Sequence, residues 1–151
     1  MATTPGSIAR LIIKTFQNGN KVIICGNGGS ASLSDHLATE LLSKFKKIRK
    51  PLPAISLTNS TVTTAIGNDF GFEYIFSRQI EALGRKGDVL LTMSTSGTSA
   101  NILAAIEAGK NLGLRVINFP TNKDLKEETD GSQEIHLHMI HRLSEEIDNL
   151  L

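Results

Sequence analysis

The sequence predicts a three-layer α/β fold, a doubly wound parallel sheet with helices on both faces. Three observations predict it. Short β-rich runs alternate with longer amphipathic runs along the chain. The short runs are apolar at nearly every position, as strands covered on both faces are. No repeat, low-complexity tract or linker interrupts the alternation, so residues 1–151 read as one domain. Residues 1–7 are set apart as a segment expected to lie outside the ordered domain.

The elements follow in order. "KVIICG" (21–26) reads as a buried strand and 29–46 as a helix. "PAISL" (53–57) is a second strand, followed by a polar loop through Asn68, and 71–83 looks helical. "DVLLTMS" (88–94) is a third strand, and 98–113 is a helix closed by Gly113 near its C-cap. "LRVINF" (114–119) is a fourth strand. A polar stretch, 120–132, leads to a last helix at about 133–150.

Bulk composition excludes several functions. Sixteen basic against 15 acidic residues give a net charge of +1, which argues against a general nucleic-acid or anionic-membrane binder. The longest apolar runs are too short to span a membrane. The N-terminus has neither the basic start nor the apolar centre of a secretion signal. Cys25 is the only cysteine, so no intramolecular disulfide forms, which fits a reducing cytosol and a cytoplasmic location.

In open parallel sheets, ligands bind at the carboxyl ends of the strands. Three polar loops fall there: "GNGGS" (26–30), "TNSTVTTAIGND" (58–69) and "STSGTS" (94–99). "STSGTS" places five hydroxyls and a glycine ahead of a helix. Free N–H groups and the positive helix end attract an anion, and hydroxyls add donors without charge. A helix cap alone explains one hydroxyl, not five. "GNGGS" lacks the lysine of a P-loop, and Ala31 stands where G-x-G-x-x-G needs its third glycine. It gives no support for a nucleotide cofactor and reads equally as a tight strand-to-helix turn.

His36 and Glu40 lie about 40° apart on a helix, so they neighbour each other. They suit two metal ligands, a general acid and base, or a surface hydrogen-bonded pair. In "QEIHLHMIHRL" (133–143), the wheel puts His141 at the border of an apolar stripe with Ile140, Ser144 and Ile147. His138 should face away, and His136 falls on the other flank. "KFKKIRK" (44–50) is a basic run at the end of the first long helix. The helix dipole and solvent explain it, with attraction of a phosphorylated substrate as a second reading.

"GNGGSA" with H-x-x-x-E, then "LTNSTVTTAIGNDFGFE", "GDVLLTMSTSGTSAN" and "QEIHLHMIH", closely resembles the phosphoheptose isomerases, which are sedoheptulose-7-phosphate isomerases of the sugar isomerase (SIS) fold. The resemblance runs from about residue 8 to the end. It implies a flavodoxin-like parallel sheet of five strands, assembled as a homotetramer with sites at subunit interfaces. It implies conversion of sedoheptulose 7-phosphate to D-glycero-D-manno-heptose 7-phosphate for bacterial lipopolysaccharide, capsule or related glycans. Carried over, Ser94, Thr95, Ser96 and Ser99 hold the phosphate, and Asn27, Ser30 and Gln133 also bind substrate. Asp69 contacts sugar hydroxyls. Glu40 is the base and His141 the partner acid. In relatives with zinc, the ligands correspond to His36, Glu40, Gln133 and His141.

The chain departs from that pattern. Leu33 and Asn59 stand where the family commonly has Asp, and Lys44 where an Arg is usual. "TNKDLKEETDGSQ" is too short and too polar for the family's further strand, so the sheet is expected to have four to five strands. Two other classes share the fold: non-catalytic SIS proteins that bind the replication initiator DnaA, and regulatory modules that only sense a phosphosugar. Retention of Glu40, His141 and "STSGTS" favours the isomerase.

Overall fold

The computed structural model describes residues 4–151. Residues 1–3 of the segment set apart above lie outside the described residues. Residues 5–7 open the first helix. Thr4 caps helix α1 (Pro5–Gln17) by accepting the Ser7 N–H, and Pro5 occupies the first turn, where no amide donor is needed.

Four parallel strands make one sheet: β1 (Val22–Gly26), β2 (Ala54–Ser56), β3 (Val89–Met93) and β4 (Arg115–Asn118), in the order β2-β1-β3-β4. The expected range of four to five thus resolves to four. Residues that could have formed a fifth strand form a short helix, α6 (Asn122–Leu125), closed by a Thr121–Asp124 capping box. The remaining helices are α2 (Gly29–Leu42), α3 (Ser60–Asp69), α4 (Ser77–Leu83), α5 (Ala100–Asn111) and α7 (Thr129–Leu150).

Alternation along the strands sorts the core into two layers. Val22, Ile24, Val89, Leu91 and Met93 face α1, α2 and α7, where they meet Ile12, Leu37, Leu41, Ile140 and Ile147. Ile23, Cys25 and Leu90 face α4 and α5, against Ile80, Ile102 and Ala105. All these side chains are buried; each large one contributes about 1.5–3 kcal/mol through removal from water.

Four expectations need correction. The loop from 58 to 68 is mostly helix α3, started by Asn59, whose side chain accepts the Val62 N–H. The first long helix stops at Leu42 rather than at 46, so the basic run 44–50 is not helical. Residues 71–83 split into a 3-10 turn, Phe72–Tyr74, and α4. The last helix begins at Thr129, one turn earlier than the sequence suggested.

The amino end of the sheet is clipped by Asp88. Its carboxylate accepts from Lys21 Nζ at 2.6 Å, Asn20 Nδ2 at 2.9 Å, and the N–H groups of Lys21 and Arg85 at 3.1 and 2.9 Å. Burial pushes this carboxyl up, but the four hydrogen bonds outweigh it and hold the group below its usual range. A lowered folded pKa contributes stability above the unfolded value near 3.9 and loses it as pH falls through the folded value. Asp88→Ala strands the Lys21 ammonium and is expected to cost about 3 kcal/mol at pH 7. Urea unfolding should show this gap, and the gap should narrow progressively below about pH 4.

Candidate active site

The strand order reverses between β1 and β3. From there the chain leaves β1 toward β2 and β3 toward β4, and the loops part to form a cleft. One wall is the β1–α2 turn. A Cβ at Gly26 would stand 2.8 Å from the Met93 carbonyl oxygen and 2.8 Å from the Ser30 backbone carbon, so only glycine lets α2 start this close to β3. Gly28 supplies the positive φ of 55° that turns the chain into the helix.

The other wall is the loop 94–99. The Ser94 hydroxyl accepts the Gly97 N–H at 3.0 Å, and the Ser96 hydroxyl accepts the Thr98 N–H at 3.2 Å and lies 3.4 Å from Ser99. These bonds fix the loop while leaving hydroxyl protons to donate outward. The first turns of α2 and α5 hold no acidic residue, and neither helix has a side-chain cap. The cleft between the walls is about 260 Å³ and is lined by Asn27, Ser30, Ser94, Thr95, Ser96, Ser99 and Gln133, among others. Hydroxyls, open N–H groups and two positive helix ends together form an anion cradle.

Asn27 and Asn101 close the back of the cradle through a reciprocal amide pair, both bonds 2.8 Å. Asn101 is buried and escaped sequence reasoning. The only available signal was a polar residue two positions into α5, where helices commonly carry one.

The second group lies further along α2 and α7. His36 Nε2 is 3.1 Å from His141 Nε2 and 3.5 Å from Glu40 Oε1. The half-buried position of His141 agrees with its place beside the apolar stripe. His138 is exposed, as the wheel implied. His136 is not on a flank but fully buried, held to the Pro120 carbonyl at 2.6 Å and edge-on to Phe119. Burial pushes its imidazole pKa down, which the Pro120 contact only partly offsets. Cys25, the residue before the end of β1, is no nucleophile, because burial pushes its thiol up to about 12.

Two residues stand apart from this group. The Gln133 side chain lies against Gly29 at the cradle, two helical turns before His141. Asp69 is exposed at the end of α3 and lines a different groove with Phe70 and Arg78. Leu33 packs against the core, and Asn59 caps α3, so neither faces the cradle. Asp35, beside His36, accepts a short hydrogen bond from Thr58.

Two imidazole nitrogens and a carboxylate oxygen are a donor set that zinc takes, and the 3.1 and 3.5 Å spacings lie near the roughly 3.3 Å edge of a tetrahedral zinc site. The trio does not by itself close a three-ligand metal site among the described residues. The donor chemistry fits; completing the geometry requires side-chain adjustment.

The fold and the hydroxyl cradle at its switch point define a SIS domain, and the SIS domain family pattern matches residues 6–120. The chain is 43% identical to the phosphoheptose isomerase of Campylobacter concisus, over 92% of this chain and 81% of that one. The phosphoheptose isomerase GmhA from Neisseria gonorrhoeae superposes with a TM-score of 0.85 at 35% identity, covering 96% of this chain and 85% of that one. A phosphoheptose isomerase from Francisella tularensis gives 0.86 at 36% identity over the same shares. The chain belongs to the phosphoheptose isomerases, and it is an isomerase enzyme.

Gly26→Ala should force β1, β3 and α2 apart at the cradle. The expected result is a lower melting temperature together with weaker inorganic phosphate binding, read by differential scanning fluorimetry and isothermal titration calorimetry.

Proposed function

We propose that the protein interconverts sedoheptulose 7-phosphate and D-glycero-D-manno-heptose 7-phosphate through an enediol. One observation carries this reading: the anion cradle and the carboxylate–imidazole group share two helices at a spacing that suits a seven-carbon chain. Ser30 precedes His36 by six residues on α2, and Gln133 precedes His141 by eight on α7, offsets of about 9 and 12 Å at 1.5 Å per residue. An extended heptose 7-phosphate advances about 1.2 Å per bond, which puts C2 and C1 about 8–10 Å from phosphorus.

The cradle binds the phosphate through Ser94, Thr95, Ser96 and Ser99, with Asn27, Ser30 and Gln133 beside it. Glu40 takes the proton from C1 of the ketose and returns it to C2. His141 donates a proton to O2 as the carbonyl becomes an enediol hydroxyl, then accepts the proton from O1 as the aldehyde forms. The Nε2–Nε2 contact sets His36 against the assigned acid, with one ring donating and the other accepting. Asp69 is assigned to sugar hydroxyls. It lies away from the cradle in this chain, and a neighbouring subunit in a homotetramer with interfacial sites would bring a second copy of it there. Exposed Val62, Phe70 and Leu83 along its groove support such an interface.

Zinc belongs to the same proposal, one ion per site. His36, Glu40 and His141 would hold it, and it would stabilise negative charge on the enediolate oxygens. Gln133, which lies at the cradle two helical turns away, would be the fourth ligand only after reorienting. Proton transfer is the primary role assigned to Glu40 and His141, since a lone pair bound to metal is not free to carry a proton. We place the enzyme in the cytoplasm, in bacterial heptose synthesis for lipopolysaccharide or capsule. No described helix is long and apolar enough to cross a membrane.

A coupled assay with sedoheptulose 7-phosphate, run with and without added zinc, tests the reading. Glu40→Gln should lower kcat by about 10³-fold or more while phosphosugar still binds; undiminished turnover would remove Glu40 as the base. Ser96→Ala should raise KM about tenfold with a smaller change in kcat, because its hydroxyl serves the phosphate in ground and transition states alike.

A further inference from the structure

We propose that Arg49 and Asp148 are positioning residues whose buried pairing sets α2 against α7 and thereby aligns Glu40 with His141. This role rests on Glu40 and His141 acting as proposed above.

The basic run 44–50 leaves the end of α2 and crosses α7. The Arg49 guanidinium reaches back and donates to the Glu40 carbonyl at 2.7 Å and to the Leu41 carbonyl at 3.0 Å. Its Nε donates to Asp148 Oδ1 at 2.8 Å. The other oxygen, Asp148 Oδ2, accepts the N–H groups of Lys46 and Lys47 at 2.9 and 3.1 Å. Both charged side chains are buried, 8% and 2% exposed. One guanidinium therefore binds the backbone of the residue assigned as base and the helix that carries its partner acid.

Position gives these bonds their leverage. Asp148 follows His141 by seven residues, so it projects from the same face of α7 two turns on. Glu40 and Leu41 lie in the last turn of α2, where carbonyls lack helical partners. Arg49 satisfies two of them with the planar fork that lysine lacks. Between the clasp and the catalytic pair, Phe45 stacks on the His141 ring at 5.8 Å and 15°, and Lys46 Nζ pairs with Glu145 at 2.5 Å. The segment thus holds α7 at three successive places. A shift of about 1 Å between the helices is enough to misplace a proton-transfer pair.

Two variants separate alignment from simple stability. Arg49→Lys keeps the charge facing Asp148 and loses the fork. It should lower kcat about tenfold or more while KM for sedoheptulose 7-phosphate stays within about twofold, since the cradle lies on other loops. The double variant Arg49→Met with Asp148→Leu removes both charges, so no buried ion is stranded. Its melting temperature should sit near that of the native chain while kcat remains low, because the Glu40 carbonyl loses its donor and the Leu41 carbonyl keeps only the Leu52 N–H. The side-chain resonances of His36 and His141, followed by NMR without substrate, should move in both variants. Recovery of kcat together with melting temperature in the double variant would reduce the pair to a stabilising contact and overturn the proposal, as would unmoved imidazole resonances or failure of the neutral pair to fold. Should the native chain not turn over sedoheptulose 7-phosphate, the substrate reading fails, and the imidazole resonances still decide whether the clasp aligns the two helices.

Discussion

Parallel pairing of β1 with β3 is the contact around which the molecule is laid out. Val22 to Gly26 pair in register with Val89 to Met93, and every residue of both strands is buried. The two following crossovers leave this pair in opposite directions, so the ends of β1 and β3 are the one place in the sheet where neighbouring loops part. The cradle follows from that parting. So does its narrowness, because Gly26 lets α2 begin in contact with the backbone of Met93. A polar loop elsewhere on the sheet edge would have no second helix end facing it.

Several charges of this chain are committed to ion pairs away from the cradle. Lys21 is held by Asp88, and Lys46 and Arg49 are held by Glu145 and Asp148. No lysine or arginine lines the cleft. The anion is met by hydroxyls, backbone N–H groups and helix ends, which are neutral or partial charges and avoid the desolvation of a buried cation. The same arrangement leaves the basic run free to act on geometry, and this is why its seven residues read so poorly as a binding patch.

Much of the fold was legible because the strands are short, apolar and separated by loops of the right chemistry. The hydroxyl-lined wall of the cleft was legible for a related reason: five hydroxyls in six residues exceed what capping needs. Helix α3 was not legible. "STVTTAIGND" is rich in residues with low helix propensity and buries no side chain, so neither composition nor periodicity announces it; the Asn59 cap starts it. The end of α2 was hidden too, since Leu42 is followed by no nearby glycine or proline. It stops where Arg49, itself held by Asp148 99 residues further on, donates to the carbonyls of Glu40 and Leu41. His136 shows the limit of the wheel, which found the buried stripe of Ile140, Ser144 and Ile147 but put this ring on its flank, where packing against Phe119 and Pro120 buries it fully. The meeting of His36 with His141 depends on how two helices lie against each other, and no local pattern encodes that.

The layer that carries His36, Glu40 and His141 joins α2 to helices from far apart in the sequence. Helix α1 opens the sequence, α7 closes it, and they pack together over the same face of the sheet as α2. The contact between His36 and His141 spans 105 positions. Linking such distant segments carries a large loop-closure entropy and tends to come late in folding. During synthesis, β1 to β4 and the helices of the opposite layer can emerge and associate before α7 leaves the ribosome. The cradle's two loops are then available to form while His36 still lacks its partner ring on α7, so the nascent chain acquires its hydroxyl-lined cleft ahead of the contact between the two imidazoles.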